Sequence, residues 1–387
     1  MSGEGELVCR CHASVGEIDR MEWDRLFPGD PEGHTYYTAC EAAPPPAFTL
    51  GAVTVRRGGR LLAAAPTFRL IYRLDTPLQD RMRGLGDWLH RRLPRLINLP
   101  ILCLGSPLAD RCHLGLDPAL TPGERDAVMA ALLTGLDAEA ARHHARVVAV
   151  KDLTGRDGET LGAPFKREGF TRIASLPVAV LELPFADEGA YLASLSSATR
   201  KDIRRKLKSS GDLRIETRSS IAGLEAEIAS LYEETRRQSG VDYGEFEGLA
   251  PSYFPAVSVH LGERAQWMLY WLGDRLIAFN LLLVGDERVI DKFIGMRYPE
   301  AREHNLYAVS WMANVRFCLA RGIRRLQTGQ TAYSSKVRFG SALEPMLVFA
   351  RHRIGVVNAL FKMFGPRFAF DKYDPELKAL AARKGEA

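Results

Sequence analysis

Residues 287–340 read ERVIDKFIGM (287–296), RYPEAREHN (297–305), LYAVSWMANVRFCLARG (306–322), IRRLQTG (323–329) and QTAYSSKVRFG (330–340). The first piece has the apolar density of a strand and the second is a polar turn. The third spaces its apolar residues for a helix, and the fourth is a short second strand. The last is a helix or loop dense in hydrogen-bonding groups. A strand–crossover–strand unit of this kind belongs to an α/β architecture, and open sheets bind ligands at the carboxyl ends of their strands. Gln327, Gln330, Tyr333 and Lys336 follow that end directly, which makes them leading candidates for a site.

Upstream, AQWMLYWLGDRLIAFNLLLVGDERVIDKFIGM (265–296) gives a three-strand meander turning at Gly273-Asp274 and Gly285-Asp286. It is preceded by a basic helix, YLASLSSATRKDIRRKLKSSGD (191–212), with Ile203 and Leu207 inward, and by IAGLEAEIASLYEETRRQSG (221–240). The first half repeats this order coarsely. FTLGAVTVRRGG and RLLAAAPTFRLIY form a hairpin in which Pro66 is expected to distort the ladder or mark an edge. A helix over 75–97, a strand at NLPILCLGSPLA, a helix beginning at the capping box of Thr121 and Glu124, and a strand at ARVVAVKDL follow. APFKREGFTRI is read as a short helix, and SLPVAVLELPF as the strand that closes the first half. Nearer the start, GEIDRMEWDRLFP is expected to turn Ile18, Met21, Trp23 and Leu26 inward, with HTYYTACEAA as a second helix. The expected division is a first domain over 1–190, a second over 191–350 and an extension over 351–387.

The chain has 387 residues, 46% of them hydrophobic and 26% charged, which suits a globular protein of two domains. A net charge of +5 is too small to diagnose nucleic-acid binding by itself. Six irregularly spaced cysteines do not make a disulfide framework, and Cys9-x-Cys11-His12 lacks a second pair at zinc-site spacing, so no metal is expected. The opening MSGEGELVCRCH has neither a basic leader nor an apolar run, and no apolar segment approaches 18 residues. A cytoplasmic protein without integral membrane association is the default expectation.

The meander followed by NLYAVSWMANVRFCLARGIRRLQTG resembles the acetyltransferase domain of the GNAT superfamily. Two such domains in one chain resemble the Fem-like tandem transferases, also described as peptidoglycan recognition or biosynthesis proteins. SATRKDIRRKLKSSG is similar to the basic helix that opens the second domain in that group, and LQTGQTAYSSKVRFGSALEP to its closing segment, with the lysine and the Phe-Gly step. The resemblance covers about residues 55–350. It implies a mixed α/β fold of two tandem GNAT-like N-acyltransferase domains, with the second as the catalytic half. It also implies an amine acceptor, small molecule or peptide, and acyl-CoA or a similar thioester as donor. One feature departs from the pattern. Acetyltransferases cradle the CoA pyrophosphate on a glycine-rich turn before the long helix, whereas RYPEAREHNLYAVS has no glycine. Fem-like relatives take aminoacyl-tRNA instead, which leaves that donor open, although the modest basicity does not favour tRNA. No tightly bound cofactor is implied.

Acyl transfer to an amine needs a base, an oxyanion stabiliser and a proton for the leaving group. Asp291 suits the base, and Lys336 and Tyr333 suit the donor or oxyanion side. His304 is a further catalytic candidate, as a proton acceptor. Gln327, Gln330, Tyr307 and Lys292 are substrate-binding candidates. Asn305 is either another or the helix N-cap. Arg200, Arg204 and Arg205 would meet phosphate or RNA, and otherwise form a solvated helix face. Three functions stay open: an N-acyltransferase using a thioester, an aminoacyl-tRNA-dependent transferase, and a non-catalytic scaffold of the same fold.

Overall fold

A computed structural model describes residues 5–73, 98–239, 248–365, 369 and 374–385. The helix expected over 75–97, with the basic cluster His90–Arg95, lies outside the described residues.

Two sheets organise the chain. The first runs β1 (Leu7–His12), β2 (Thr49–Arg57), β3 (Arg60–Arg73), β4 (Asn98–Leu104), β6 (Val147–Thr154), β15 (Met346–His352), β7 (Thr171–Ala174), with β5 (Gly115–Leu116) on β3. The second runs β9 (Leu213–Arg218), β10 (Ala265–Leu272), β11 (Arg275–Val284), β12 (Arg288–Met296), β13 (Arg325–Gln327), β8 (Val178–Glu182), β14 (Ala342–Glu344). Read side by side, the orders match strand for strand, and each sheet has one parallel pair, β4–β6 and β12–β13. The duplicated mixed α/β fold is therefore real.

The division of strands is not the expected one. SLPVAVLELPF does not close the first half: β8 enters the second sheet between β13 and β14. In return β15 crosses to the first sheet and pairs with β6 and β7. Boundaries at 190 and 350 thus cut across a reciprocal exchange. The cause lies in backbone pairing: β13 and β14 each need a partner on the side that β8 fills, and an unpaired interior edge would leave buried N–H and C=O groups unsatisfied.

Local chemistry accounts for the other elements. Thr121 and Glu124 close a reciprocal capping box on the helix Pro122–Arg142, and Thr154 caps the helix Gly155–Arg167, which begins well before the short helix expected there. Gly58 and Gly59 take positive φ in the β2–β3 turn. Pro66 sits in an interior strand after all. It falls between the residues of β3 that pair with β5 (Ala63, Ala64) and those that pair with β4 (from Thr67), where no N–H is required. Trp23, Ile18 and Leu26 are inward as expected, but Met21 is exposed. No strand is expected from the sequence at β1: its burial alternates weakly, and it pairs with Ala52–Arg57 of β2 at the sheet's edge.

A single core joins the two units. Trp23, Tyr36 and Tyr37 from the first pack with Tyr253, Phe254, Trp267, Phe279 and Ile290 from the second. The Tyr36 and Tyr253 hydroxyls meet at 3.0 Å, and Tyr36 donates to the Leu108 carbonyl. On the opposite face of the second sheet, the helix Leu306–Ala320 buries Leu306, Val309, Met312 and Cys318 against Met268, Leu282 and Leu326.

Candidate active site

β12 and β13 pair only from Arg288–Arg325 to Ile290–Gln327. Beyond that point β12 stays with β11 while Thr328 donates its N–H to Ala179 at the start of β8, so the sheet opens between them. Asp291 and Lys292 stand at the opening, where β12 is bulged. Leu281 opposes Phe293 and Leu282 opposes Asp291, leaving Lys292 as the extra residue. Strand alternation sends the Asp291 and Lys292 side chains to opposite faces, and the bulge then keeps Phe293 on the Lys292 side.

Asp291 turns to the face covered by the helix Leu306–Ala320. Its two carboxylate oxygens accept from Asn280 Nδ2 and Asn314 Nδ2, each at 2.9 Å. Both asparagines are fully buried, and their Oδ1 atoms have no partner. Burial raises the Asp291 carboxyl to about 6, against the lowering influence of Asn280, Lys336 and Asn314. Asp291 itself keeps partial access to solvent.

Lys292 turns to the first unit. It meets Glu32 at 2.7 Å and Asp110 at 3.8 Å and lies over the Tyr36 ring. Although burial opposes its charge, Asp110 and Glu32 keep its pKa raised. Asp110 reaches the opening from the loop after β4 and accepts from Gln327 Nε2 at 2.9 Å. Burial works against its ionisation, but Lys292, Gln327, Lys151 and Lys336 hold it below the usual range. Alongside, Asp30 joins the units by receiving Arg111, His113 at 3.1 Å and Arg288 at 3.0 Å.

Lys336 comes from the helix Tyr333–Arg338, is buried, and donates to the Thr328 carbonyl. Burial depresses it to about 8, despite the carboxylates of Asp291, Asp110 and Glu376. A carboxylate raised and an ammonium lowered beside a sheet opening are the kind of perturbed groups that make a site candidate.

The remaining candidates are dispersed. Tyr333 is fully buried and donates to the Pro177 carbonyl at 2.9 Å, and Gln330 donates to Leu176 at 2.9 Å; both fasten the entry to β8. Tyr307 is largely buried on the Asp291 side, and its hydroxyl has no partner. His304 and Asn305 lie at the far end of the long helix, about 15 Å from Asn314 at 1.5 Å per residue. There the His304 carbonyl accepts from Ser210, and Asn305 donates to Ser209. Asn305 occupies the N-cap position, but in a left-handed conformation without a side-chain cap. His304 thus lies away from Asn314 and the Asp291 carboxylate that Asn314 holds. Arg200 is spent on the carbonyls of Leu192, Ala193 and Leu195, and Arg205 on Asp202, while Arg204 is exposed.

Asn280, Asn314, Asp110, Glu32 and Asp30 were not singled out beforehand. The signal was present for some. Asn280 is the lone polar residue within LIAFNLLLV, and a buried amide needs a partner.

The turn before the long helix is closed. The N–H groups of Ala301, Arg302, Glu303, His304 and Asn305 all donate to carbonyls of residues 297–302. Glu300 is paired with Arg275, and Arg297 and Arg302 share the stretch with Glu303, so the turn carries no net negative charge. In the first unit the equivalent helix start is occupied by its own capping box, with Arg57 on Glu124.

Residues 197–336 match the GNAT acetyltransferase domain family. The structure of FemX superposes with a TM-score of 0.58 at 13% identity, covering 89% of this chain and 98% of FemX. The chain has a Fem-like tandem GNAT fold. A tandem GNAT protein from the clavulanic acid pathway, described without AcCoA, aligns with this tandem fold at a TM-score of 0.52 and 13% identity, over 90% of this chain and 98% of that one. Two curated relatives from strains of Mycobacterium tuberculosis, each named as a candidate 8-amino-7-oxononanoate synthase 2, are 33% identical over 116 residues, or 29% of this chain. The chain spans 15% of their length. Among the described residues, no group of three or more His, Cys, Asp or Glu is placed to hold a metal, and no helix is long and apolar enough to cross a membrane.

Proposed function

We propose that the protein is an N-acyltransferase that makes an amide at the opening between β12 and β13, and that its donor is an aminoacyl ester of tRNA rather than acyl-CoA. The observation that carries the donor is the closed turn over 300–305. The amides of 301–305 are committed to backbone carbonyls and the stretch holds no glycine, so the turn does not offer a pyrophosphate the converging N–H groups of a glycine-rich cradle. The likeness to FemX in fold supports the same choice.

In this reading the acceptor nitrogen attacks the acyl carbonyl carbon. A C–N bond forms and the ester C–O bond breaks. The ammonium proton passes to the Asp291 carboxylate, the departing ribose oxygen takes a proton from Lys336, and solvent returns the proton between them. Lys336 also offsets charge on the oxyanion. Gln327, Asp110 and Lys292 shape the side of the opening that faces the first unit, where the acceptor enters. Arg204, with Lys201 and Lys208 on the same helix, offers phosphate contacts.

Purified protein incubated with an acceptor-amine panel and either charged tRNAs or acyl-CoAs tests the proposal, with amide formation read by mass spectrometry. Amide from charged tRNA, lost in Asp291→Asn, is the expected result. Turnover with acyl-CoA alone overturns the donor, and turnover with neither class leaves the scaffold reading standing.

A further inference from the structure

The helix Gly355–Phe364 is fastened by one face only. Asn358 donates to the Gly169 carbonyl at 3.0 Å and accepts from the His352 N–H at 3.0 Å, while Phe361 packs against the cluster around Phe48 and Phe68. The other face and its lead-in present Ile354 (57% exposed), Val356 (76%), Val357 (40%), Leu360 (50%) and Met363 (59%). Half of the ten exposed large hydrophobics among the described residues therefore sit within ten consecutive positions. Scattered apolar residues need no explanation, but a contiguous apolar patch does.

Along the chain the charge of this segment has one sign. Between Glu344 and Asp371 the sequence contains Arg351, Arg353, Lys362 and Arg367 and no acidic residue. Arg351 is engaged by Asp137 and the Glu168 carbonyl, whereas Arg353 and Lys362 are exposed near the two ends of the helix. Arg172 on β7 is also exposed, and Glu168 is the exposed acid nearest to Gly169. Among the described residues, the exposed large side chains of this helix are aliphatic, unlike the aromatic anchors that dominate protein–protein hot spots. An apolar helical face flanked by cations lies flat in a lipid interface, and a helix of about 15 Å is too short to span one.

We propose that this face docks the protein on an anionic lipid surface. The docking is interfacial and reversible, combining shallow insertion of Val356, Leu360 and Met363 with attraction between the flanking cations and acidic headgroups. It is independent of the choice of acyl donor.

Full-length protein is sedimented with vesicles of phosphatidylcholine alone and of phosphatidylcholine mixed with phosphatidylglycerol, at low and high salt. The surface variant Val356→Asn/Leu360→Asn/Met363→Asn, shown to be folded by its circular dichroism, is compared with wild type, as is Lys362→Glu. The expected result is binding to the phosphatidylglycerol vesicles, about tenfold or more weaker in the triple variant and reduced in Lys362→Glu and by salt. Absence of wild-type binding to either vesicle overturns the proposal. So does equal binding by the triple variant, or a wild-type dimer that the triple variant converts to monomer, since the face would then be covered by a second copy.

Discussion

Replacing Asn314 by Leu removes one of the two amides that hold Asp291 while keeping the branched shape and heavy-atom count of the side chain. A hydrogen bond to a charged acceptor contributes about 1.5–3 kcal/mol, and one pKa unit corresponds to about 1.36 kcal/mol, so the Asp291 carboxyl should rise by about 1–2 units from about 6. The base works only when ionised, so the acid limb of the kcat/KM profile should move upward by the same amount. Activity falls by about five- to fiftyfold near pH 6, and the deficit shrinks towards pH 8. Stability should change little, because the substitution also removes the unpartnered Asn314 Oδ1. The profile should be measured together with the Asp291 side-chain carbon shift in a pH titration by NMR. A uniform loss of rate at every pH, with the Asp291 titration unmoved, would refute the reasoning and leave Asn314 as packing alone.

Wild-type kcat/KM should be bell-shaped, rising through about 6 as Asp291 ionises and falling above about 8 as Lys336 loses its proton. Lys336→Met should abolish the basic limb and cost about 10²–10⁴ in rate; an unchanged limb would remove Lys336 from the mechanism. Lys292→Met leaves Glu32 buried without its cation and should cost about 3–5 kcal/mol in denaturant unfolding, with Lys292→Met/Glu32→Gln recovering most of it. Arg204→Glu should weaken charged-tRNA binding and flatten its salt dependence by about one to two phosphate contacts, with no change in Tm; an unchanged slope would place the RNA elsewhere.

Much of the fold was legible because its signals are local. The meander turns, the Thr121 capping box and the apolar period of the long helix each report on a few neighbouring residues. Asp291 and Lys336 could be marked because a charge in or after an apolar strand is conspicuous. What stayed hidden depends on contacts distant in sequence. Asp110 meets Gln327 across more than two hundred residues, and Asp30 meets Arg288 across more than two hundred and fifty. The placement of β8 was invisible for the same reason, since its apolar pattern fits either sheet equally well. Tyr333 and His304 show the converse: residue types suited to catalysis were committed to a strand entry and a helix start.

The exchange of β8 and β15 makes the two copies thermodynamically inseparable. Each supplies the strand that completes the other's sheet, so neither half encodes a foldable product by itself, and heat or denaturant should melt both in one transition despite the length of the chain. A substitution that damages the exchanged strand of either copy should therefore be felt by both sheets.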